Sequence, residues 1–287
     1  MYHDSLKYGD YWKRLLALGL SEDGSPWDWS TRGVGPSKGR VSARVIAKST
    51  GIWAGDPLVA AVEALGSSIK IRSRISDGKA FMAGEILTEI QASIEELFAF
   101  ERPFLNLASF VGGIATATST AVSLVRKACP KNSPRVVLTR KTLPGYRDLS
   151  IHGVLAGGGF PHRVSLAGGV LLKENHIAAA GSIERAMKGA RREAPHGLKI
   201  EIEVRNEREL LQALKFGAEG VLLDNFSPAE VRKALKRIQA SGAQPFVEIS
   251  GGINEKNISE YAIEGVHVLS LGSLTHSVKS LDLSWLI

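Results

Sequence analysis

The 287-residue chain has a single cysteine, Cys129. One thiol forms neither an internal disulfide nor a cysteine-rich zinc cluster, and a reducing compartment is its plain setting. The N-terminal Met-Tyr-His-Asp-Ser-Leu-Lys lacks an apolar stretch of the signal-peptide kind. A clean membrane span is missing too. The most apolar run, residues 107–125, carries Ser109, Thr116, Thr118, Ser119, Thr120 and Ser123, which reads as a buried helix. The sequence shows no unit repeats, and Gly157-Gly158-Gly159 is no dinucleotide fingerprint, because no strand-turn-helix frame with an acidic partner follows it. These absences leave a soluble, cytoplasmic protein with no membrane partner.

Acidic residues are also in short supply, 29 against 36 Lys plus Arg, for a formal charge of +7. A surface of that sign attracts anions. The excess is concentrated: residues 131–177 hold Lys131, Arg135, Arg140, Lys141, Arg147, Arg163 and Lys173 against Asp148 and Glu174. Nucleic-acid binders more often show basic tails or Lys/Arg interleaved with aromatics. This segment is rich in Gly, Leu and Val, so a folded pocket for a small polyanion fits better.

At 44% hydrophobic and 23% charged residues the chain buries a full core in one large or two moderate domains. Residues 40–100 read as a small α/β unit. A strand is predicted at Val41–Ala47 and a helix at Pro57–Leu65, with Asp56 as its N-cap. A further strand holds Ile69, Ile71 and Ile75, and another resumes over Phe81–Ile90 after the turn Ser76-Asp77-Gly78. Ser93 and Glu96 suggest a capping box opening a helix that Pro103 stops or restarts. From about residue 111, strands alternate with amphipathic helices such as 207–216 and 228–240. Strands are expected at Arg135–Thr139, Leu198–Val204, Gly220–Asp224, Pro245–Ser250 and Val266–Leu271, with a short one ending at Lys173. The last four recur roughly every 22 residues, the period of a βα unit in a parallel barrel. Residues 111–274 are too few for the roughly 250 of a full eight-unit barrel, so a partial barrel is expected.

Barrel chemistry sits at the C-terminal ends of the strands. Taken in order, those ends are Thr139-Arg140-Lys141-Thr142, Glu201 with Glu203, Asp224-Asn225, Ser250-Gly251-Gly252 and Gly272-Ser273. Cations come early, carboxylates in the middle and small turns last. Gly-containing turns let backbone N–H groups approach a phosphate, and Ser250, Gly251, Gly252, Gly272 and Ser273 are assigned to one. Taken alone, Ser-Gly-Gly is as readily a plain strand-ending turn. Glu201 and Glu203 alternate with Ile200, Ile202 and Val204, so both carboxylates share a strand face and need cations such as Lys141, Arg163 and Lys173. Glu201 and Glu248 read as members of a structural Lys-Glu pair. His3, His152, His196 and His267 have no partner in sequence and read as surface or packing residues, whereas His162 adjoins Arg163.

These blocks resemble the quinolinate phosphoribosyltransferase family from about residue 50 to the C-terminus. Those carrying the likeness are Glu101-Arg102 with Leu105-Asn106 and Gly113 to Thr116; Thr139 to Gly145 with Arg147; Gly157 to Arg163 through Lys173-Glu174-Asn175-His176; Glu201-Ile202-Glu203 with Leu223-Asp224-Asn225; and Ser250 to Gly252 with Leu271 to Ser277. The resemblance implies an N-terminal α/β sandwich domain over 1–110, joined by 275–287, and a partial TIM-like α/β barrel over 111–274. It also implies a homodimer, with room for higher assembly, in which Arg102 acts in trans. Quinolinate would lie on Arg102, Thr139, Arg140, His162, Arg163 and Lys173. Phosphoribosyl pyrophosphate would lie on Lys141, Lys173, Glu203, Asp224, Ser250 to Gly252, Leu271, Gly272, Ser273 and His276. Lys141, Glu203 and Asp224 take the catalytic roles, with Mg2+ held through Glu203 and Asp224 and no organic cofactor. Three positions depart from the family pattern: Leu138 replaces an Asp, Gly112 replaces a Ser, and Trp27 to Thr31 stands where a Gly-Asp-x-Thr element belongs.

The activity so implied joins quinolinate to phosphoribosyl pyrophosphate, giving nicotinate mononucleotide, pyrophosphate and CO2. A paralogous group linked to molybdenum transport shares much of the motif set but lacks the Lys-x-Asn-His block that stands here at Lys173 to His176. Two further rivals are a Schiff-base aldolase using Lys141 or Lys173, which the crowding by arginines disfavours, and a nucleic-acid binder, suggested by the pI alone.

Overall fold

The computed structural model describes residues 5–24, 28–35 and 39–287. His3 and Trp27 lie outside the described residues. Two compact units divide the chain: Met1–Ser119 with Pro144–Gly158 and Val278–Ile287, and Thr120–Leu143 with Gly159–Ser277.

The first unit opens with helices α1 (Ser5–Glu22) and α2 (Trp29–Val34), the latter capped by Asp28, whose carboxylate accepts the N–H groups of Ser30 and Thr31. Strands β1 (Val41–Ala47) and β2 (Gly51–Ile52), helix α3 (Asp56–Leu65) and strands β3 (Lys70–Ser73), β4 (Ala80–Phe81) and β5 (Ile86–Ala92) follow. An antiparallel sheet forms in the order β12-β1-β5-β3, with the C-terminal strand β12 (Leu283–Leu286) on its edge. Alternation in β1 buries Ala43, Val45 and Ala47, as its period-2 pattern requires.

Four local expectations need correction. The strand expected over 81–90 is two pieces: β4 pairs with β2, and β5 starts only after the turn at Gly84. Asp56 is not the N-cap of α3; Gly55 is, and the Asp56 carboxylate instead accepts from Trp53 Nε1 at 2.9 Å, Ser73 Oγ at 3.0 Å and the Asp77 N–H at 3.1 Å. Pro103 neither stops nor restarts its helix, since α4 runs unbroken from Ile94 to Ala128. A proline inside a helix removes one backbone hydrogen bond and costs about 3 kcal/mol. Buried Phe100, Phe104, Leu105, Leu107, Ala108, Val111 and Ile114 on both sides offset that, and α4 is a core helix despite a window apolar enough to span a membrane. His152, expected without a partner, sits 2.9 Å from Asp77 Oδ2 and edge-on to the buried Trp12 ring.

Because α4 is continuous, the first unit extends past residue 110 to Ser119. It also takes in α5 (Arg147–Ala156), expected with the barrel, which is fastened to α4 by the Phe110–Tyr146 ring contact at 5.7 Å. Two of the family departures have packing reasons. A Cβ on Gly112 would stand 2.5 Å from Leu281 Cδ1, and Leu138 is buried beside Leu271 in the barrel sheet.

The second unit is a six-stranded, fully parallel sheet: β6 (Arg135–Leu138), β7 (Val170–Leu172), β8 (Ile200–Val204), β9 (Gly220–Asp224), β10 (Phe246–Ser250) and β11 (Val268–Leu271). Their order, β6-β11-β10-β9-β8-β7, sets the last strand beside the first. That is a barrel opened at one seam, between β6 and β7, where Phe160 bridges the free edge of β6 at Val137. Helices α6 (Glu174–Ala180), α7 (Ile183–Glu193), α8 (Glu207–Lys215), α9 (Pro228–Ser241), α10 (Ile258–Tyr261) and α11 (Ser273–His276) fill the connections. Ser182, Asn206 and Ser227 cap α7, α8 and α9 through their side-chain oxygens, each such cap stabilising a helix by about 1 kcal/mol. Met187, Leu210, Ala213, Val231 and Ile238 then pack on Ile200, Ile202, Val204, Val221 and Val247 to form the core. All six strands point the same way, so their C-terminal ends share one rim.

Candidate active site

The rim begins with Thr139, Arg140 and Lys141 after β6. Thr139 Oγ1 accepts the Lys141 N–H at 3.1 Å, and Thr275 Oγ1 donates to the Lys141 carbonyl at 2.8 Å, so the turn is held from both sides. Arg140 is half-buried, with no acceptor for its Nε. Arg163 is half-buried as well. One of its terminal nitrogens reaches the Gly169 carbonyl at 3.4 Å, while its buried Nε also lacks an acceptor. A guanidinium N–H left unpaired inside a protein is costly. Two such groups on adjoining segments ask for an anion. Burial, then the charge of Arg140, lowers the Arg163 pKa, with Glu201 and Glu248 opposing; a guanidinium nonetheless stays protonated.

Beneath these cations lies a cluster of His162, Glu201 and Glu248, whose ligand-type atoms all fall within 4.8 Å of one another. Glu248 is 2% exposed and Glu201 6%. His162 Nε2 is 3.1 Å from Glu248 Oε2, and His162 Nδ1 accepts the Arg163 N–H at 2.7 Å. A backbone N–H can only donate, so Nδ1 is unprotonated and the ring proton resides on Nε2, directed at Glu248. Burial, reinforced by the neighbouring Glu248 charge, pushes the Glu201 carboxyl up to about 9, Arg163 only partly opposing. Glu201 is thus a neutral acid at pH 7. The Lys-Glu pair expected at these carboxylates is corrected: their cationic neighbour is Arg163.

Further round the rim, Lys173 caps β7 and its Nζ lies 2.9 Å from Glu203 Oε2 on β8. Both acids of β8 face away from Ile200, Ile202 and Val204, which belong to the helix-packed core. Asp224 ends β9 and accepts from Asn225 Nδ2 at 2.8 Å. Asn225 has φ +58°, the one positive value at a non-glycine position among the described residues, and its N–H donates to the Ser250 carbonyl at 2.9 Å. That bond brings the next turn so close that a Cβ on Gly251 would stand 2.2 Å from Asn225 Oδ1. Gly251 and Gly252 both have positive φ, at 92° and 65°. On the last strand, a Cβ on Gly272 would stand 2.9 Å from His276 Nε2, so backbone, His276 and the Lys141 stem adjoin there.

Every residue expected in the site from Thr139 to His276 therefore belongs to this one unit, His162 and Arg163 on the segment after the Phe160 bridge and the others at or soon after strand ends. Arg102 does not; it is exposed on α4 in the first unit. Sequence reasoning missed Glu248 as the partner of His162, although it alternates with Val247 and Ile249 just as Glu201 and Glu203 alternate on β8. It set Asn225 at a strand end beside Asp224 but gave it no role, although Asx is the residue type that tolerates positive φ.

Residues 28–110 match the family described as quinolinate phosphoribosyl transferase, N-terminal domain, and residues 114–285 its C-terminal domain. The chain belongs to the quinolinate phosphoribosyltransferase family. Within it, a relative from Methanocaldococcus jannaschii, named probable nicotinate-nucleotide pyrophosphorylase [carboxylating], is 40% identical over 96% of each chain. The human protein named nicotinate-nucleotide pyrophosphorylase [carboxylating] is 35% identical over 88% of this chain and 82% of its own. The solved structure of the nicotinate-nucleotide pyrophosphorylase from Francisella tularensis superposes with a TM-score of 0.87 at 31% identity, covering 97% of this chain and 96% of that one. The C-terminal family match contains the whole rim, and the N-terminal match contains Arg102.

Proposed function

We propose that this chain transfers the phosphoribosyl group of phosphoribosyl pyrophosphate to quinolinate with decarboxylation, yielding nicotinate mononucleotide, pyrophosphate and CO2. The observation that carries the reading is the pair of half-buried guanidiniums, Arg140 and Arg163, with unpaired Nε groups, on the rim that also bears the Gly251-Gly252 turn. Family membership and the names of the relatives agree with it.

Arg140 and Arg163 offer planar forks to the two ring carboxylates, and Lys173 a point charge to one oxygen. Thr139 completes that side, and His162 stands behind Arg163, whose N–H it accepts. Held there, the pyridine nitrogen faces the ribose C1, which removes the entropic cost of a bimolecular encounter during chemistry. Lys141, the turns 250–252 and 271–273, and His276 take the phosphates. As the bond from C1 to the pyrophosphate oxygen breaks, positive charge grows on the sugar and negative charge on the leaving group. Glu203 and Asp224 meet the sugar side; Lys141 meets the pyrophosphate. The ring nitrogen supplies the electron pair for the new C1–N bond. The carboxylate at ring carbon 2 then leaves as CO2, its bonding pair stays on that carbon, and a proton from solvent replaces it.

Glu203 and Asp224 suit Mg2+: they are oxygen donors on adjacent strands, and this ion favours one or two carboxylates together with substrate phosphates. Bound there, it would add positive charge against the departing pyrophosphate. The protein is a homodimer in this reading, with Arg102 reaching the partner's site, in a cytoplasmic setting.

One incubation with quinolinate, phosphoribosyl pyrophosphate and magnesium tests the reaction. Nicotinate mononucleotide and pyrophosphate should form in equal amounts, and their absence overturns it. Mixing inactive Arg102→Ala and Arg140→Ala proteins tests the sharing of sites. Recovered activity is expected from mixed dimers, and none would place Arg102 elsewhere.

A further inference from the structure

We propose that Glu248, which does not itself reach the rim, is a positioning residue that sets the dicarboxylate affinity of Arg163 through His162. This rests on the reading of the rim as a quinolinate site. The chain of contacts is short. Glu248 is 2% exposed and holds the His162 Nε2 proton across 3.1 Å. That bond fixes the tautomer, leaving Nδ1 bare to accept the Arg163 N–H across 2.7 Å. The accepted N–H pins the backbone from which the guanidinium extends, and its Nε is left with no protein acceptor.

The arrangement also bears on what His162 can do. Both of its ring nitrogens are engaged by protein groups, so it braces Arg163 and leaves the substrate carboxylate to the guanidiniums. The cluster has the spacing of a cation site. Its cation is the Arg163 guanidinium, to which Glu248 couples by charge. On the neighbouring strands the residues in register with Glu201 are Leu171 and Gly220, so no lysine competes from there.

Four variants separate a brace from mere packing. Glu248→Leu abolishes the acceptor, whereas Glu248→Gln keeps a carbonyl oxygen for the His162 proton. His162→Leu abolishes the grip on the Arg163 N–H, whereas His162→Asn keeps an oxygen near the Nδ1 position. Losing a hydrogen bond to a charged group costs roughly a factor of ten or more in affinity, so each Leu variant should raise KM for quinolinate about tenfold or more. KM for phosphoribosyl pyrophosphate should stay within about twofold, Glu248→Gln within about threefold of wild type for both substrates, and His162→Asn should keep more quinolinate affinity than His162→Leu. Amide hydrogen exchange supplies a readout independent of turnover: the Arg163 N–H should be protected in wild type and Glu248→Gln, and exposed in both Leu variants.

An unchanged quinolinate KM in Glu248→Leu overturns the proposal. So does a parallel rise for both substrates, or a Gln variant no better than Leu. If Glu248→Leu does not fold, the His162 pair decides by the same criteria. If wild-type protein makes no nicotinate mononucleotide, the proposed reaction fails, while Arg163 amide protection still tells whether Glu248 holds the brace.

Discussion

Glu201 and Glu203 stand two residues apart on one face of one strand and lead different chemical lives. Glu201 is buried against Glu248 and carries its proton to about pH 9. Glu203 is half-buried nearer the mouth, paired with Lys173 at 2.9 Å. The same contrast separates the buried Glu248 on β10 from the half-buried Asp224 on β9. Two residues of strand advance a side chain by roughly 6.6 Å, enough to pass from an apolar interior to solvent. Strand alternation sends a carboxylate into the barrel, and depth then decides what it becomes. A deep one is a neutral acid or a brace, and a shallow one is left at the rim to meet a ligand.

The strongest way to break this contrast is to neutralise a shallow acid. Asp224→Asn keeps the shape and removes the charge that would meet the sugar, and should lower kcat/KM by roughly a thousandfold with the fold intact. Glu203→Gln should act in the same direction and also release Lys173. Steady-state rates beside a thermal melt check both. Near-wild-type turnover in either would mean that shallow carboxylates are not the reactive set.

A smaller effect is expected where the backbone itself is the ligand. Gly251→Ala forces a Cβ to within 2.2 Å of Asn225 Oδ1 at a residue with φ +92°. Relief requires Asn225 to move, and its N–H bond to the Ser250 carbonyl moves with it. KM for phosphoribosyl pyrophosphate should rise about tenfold to a hundredfold, with quinolinate KM nearly unchanged and the melting temperature lowered by several degrees. A rise confined to quinolinate would reassign the turn to the other substrate.

Much of this contrast was legible before any fold was known. Alternation along Ile200–Val204 put both acids on one face, and the order of strand ends separated early cations from late Gly turns. What stayed hidden is set by distance along the chain. Glu248 and His162 are 86 residues apart. No local pattern joins them until the strand order carries β10 and the 159–163 segment into one barrel. The course of α4 through Pro103 was hidden for a related reason, because the local cost of the proline is visible in sequence whereas the burial on both sides that offsets it is tertiary. Asp56 was misread as a cap because its real donors come from Trp53, Ser73 and Asp77, two of which arrive from later in the chain.

Changing a deep acid should have the smallest effect on turnover and an effect on stability that depends on pH. In the unfolded chain a Glu loses its proton near 4.3–4.5; in the fold Glu201 keeps it to about 9. Between those values the native state holds a proton that the unfolded state lacks, so stability falls as pH rises, by at most about 1.4 kcal/mol per pH unit. Glu201→Gln has no such proton to lose. Its amide is neutral and nearly isosteric, as the protonated acid is, so turnover at pH 7 should stay within about threefold of wild type. Denaturant melts at intervals from pH 5 to 9 should therefore show the variant gaining on wild type steadily as pH increases. Parallel curves would show that Glu201 is already ionised in the fold, and the distinction between deep and shallow carboxylates would then have to rest on Glu248 alone.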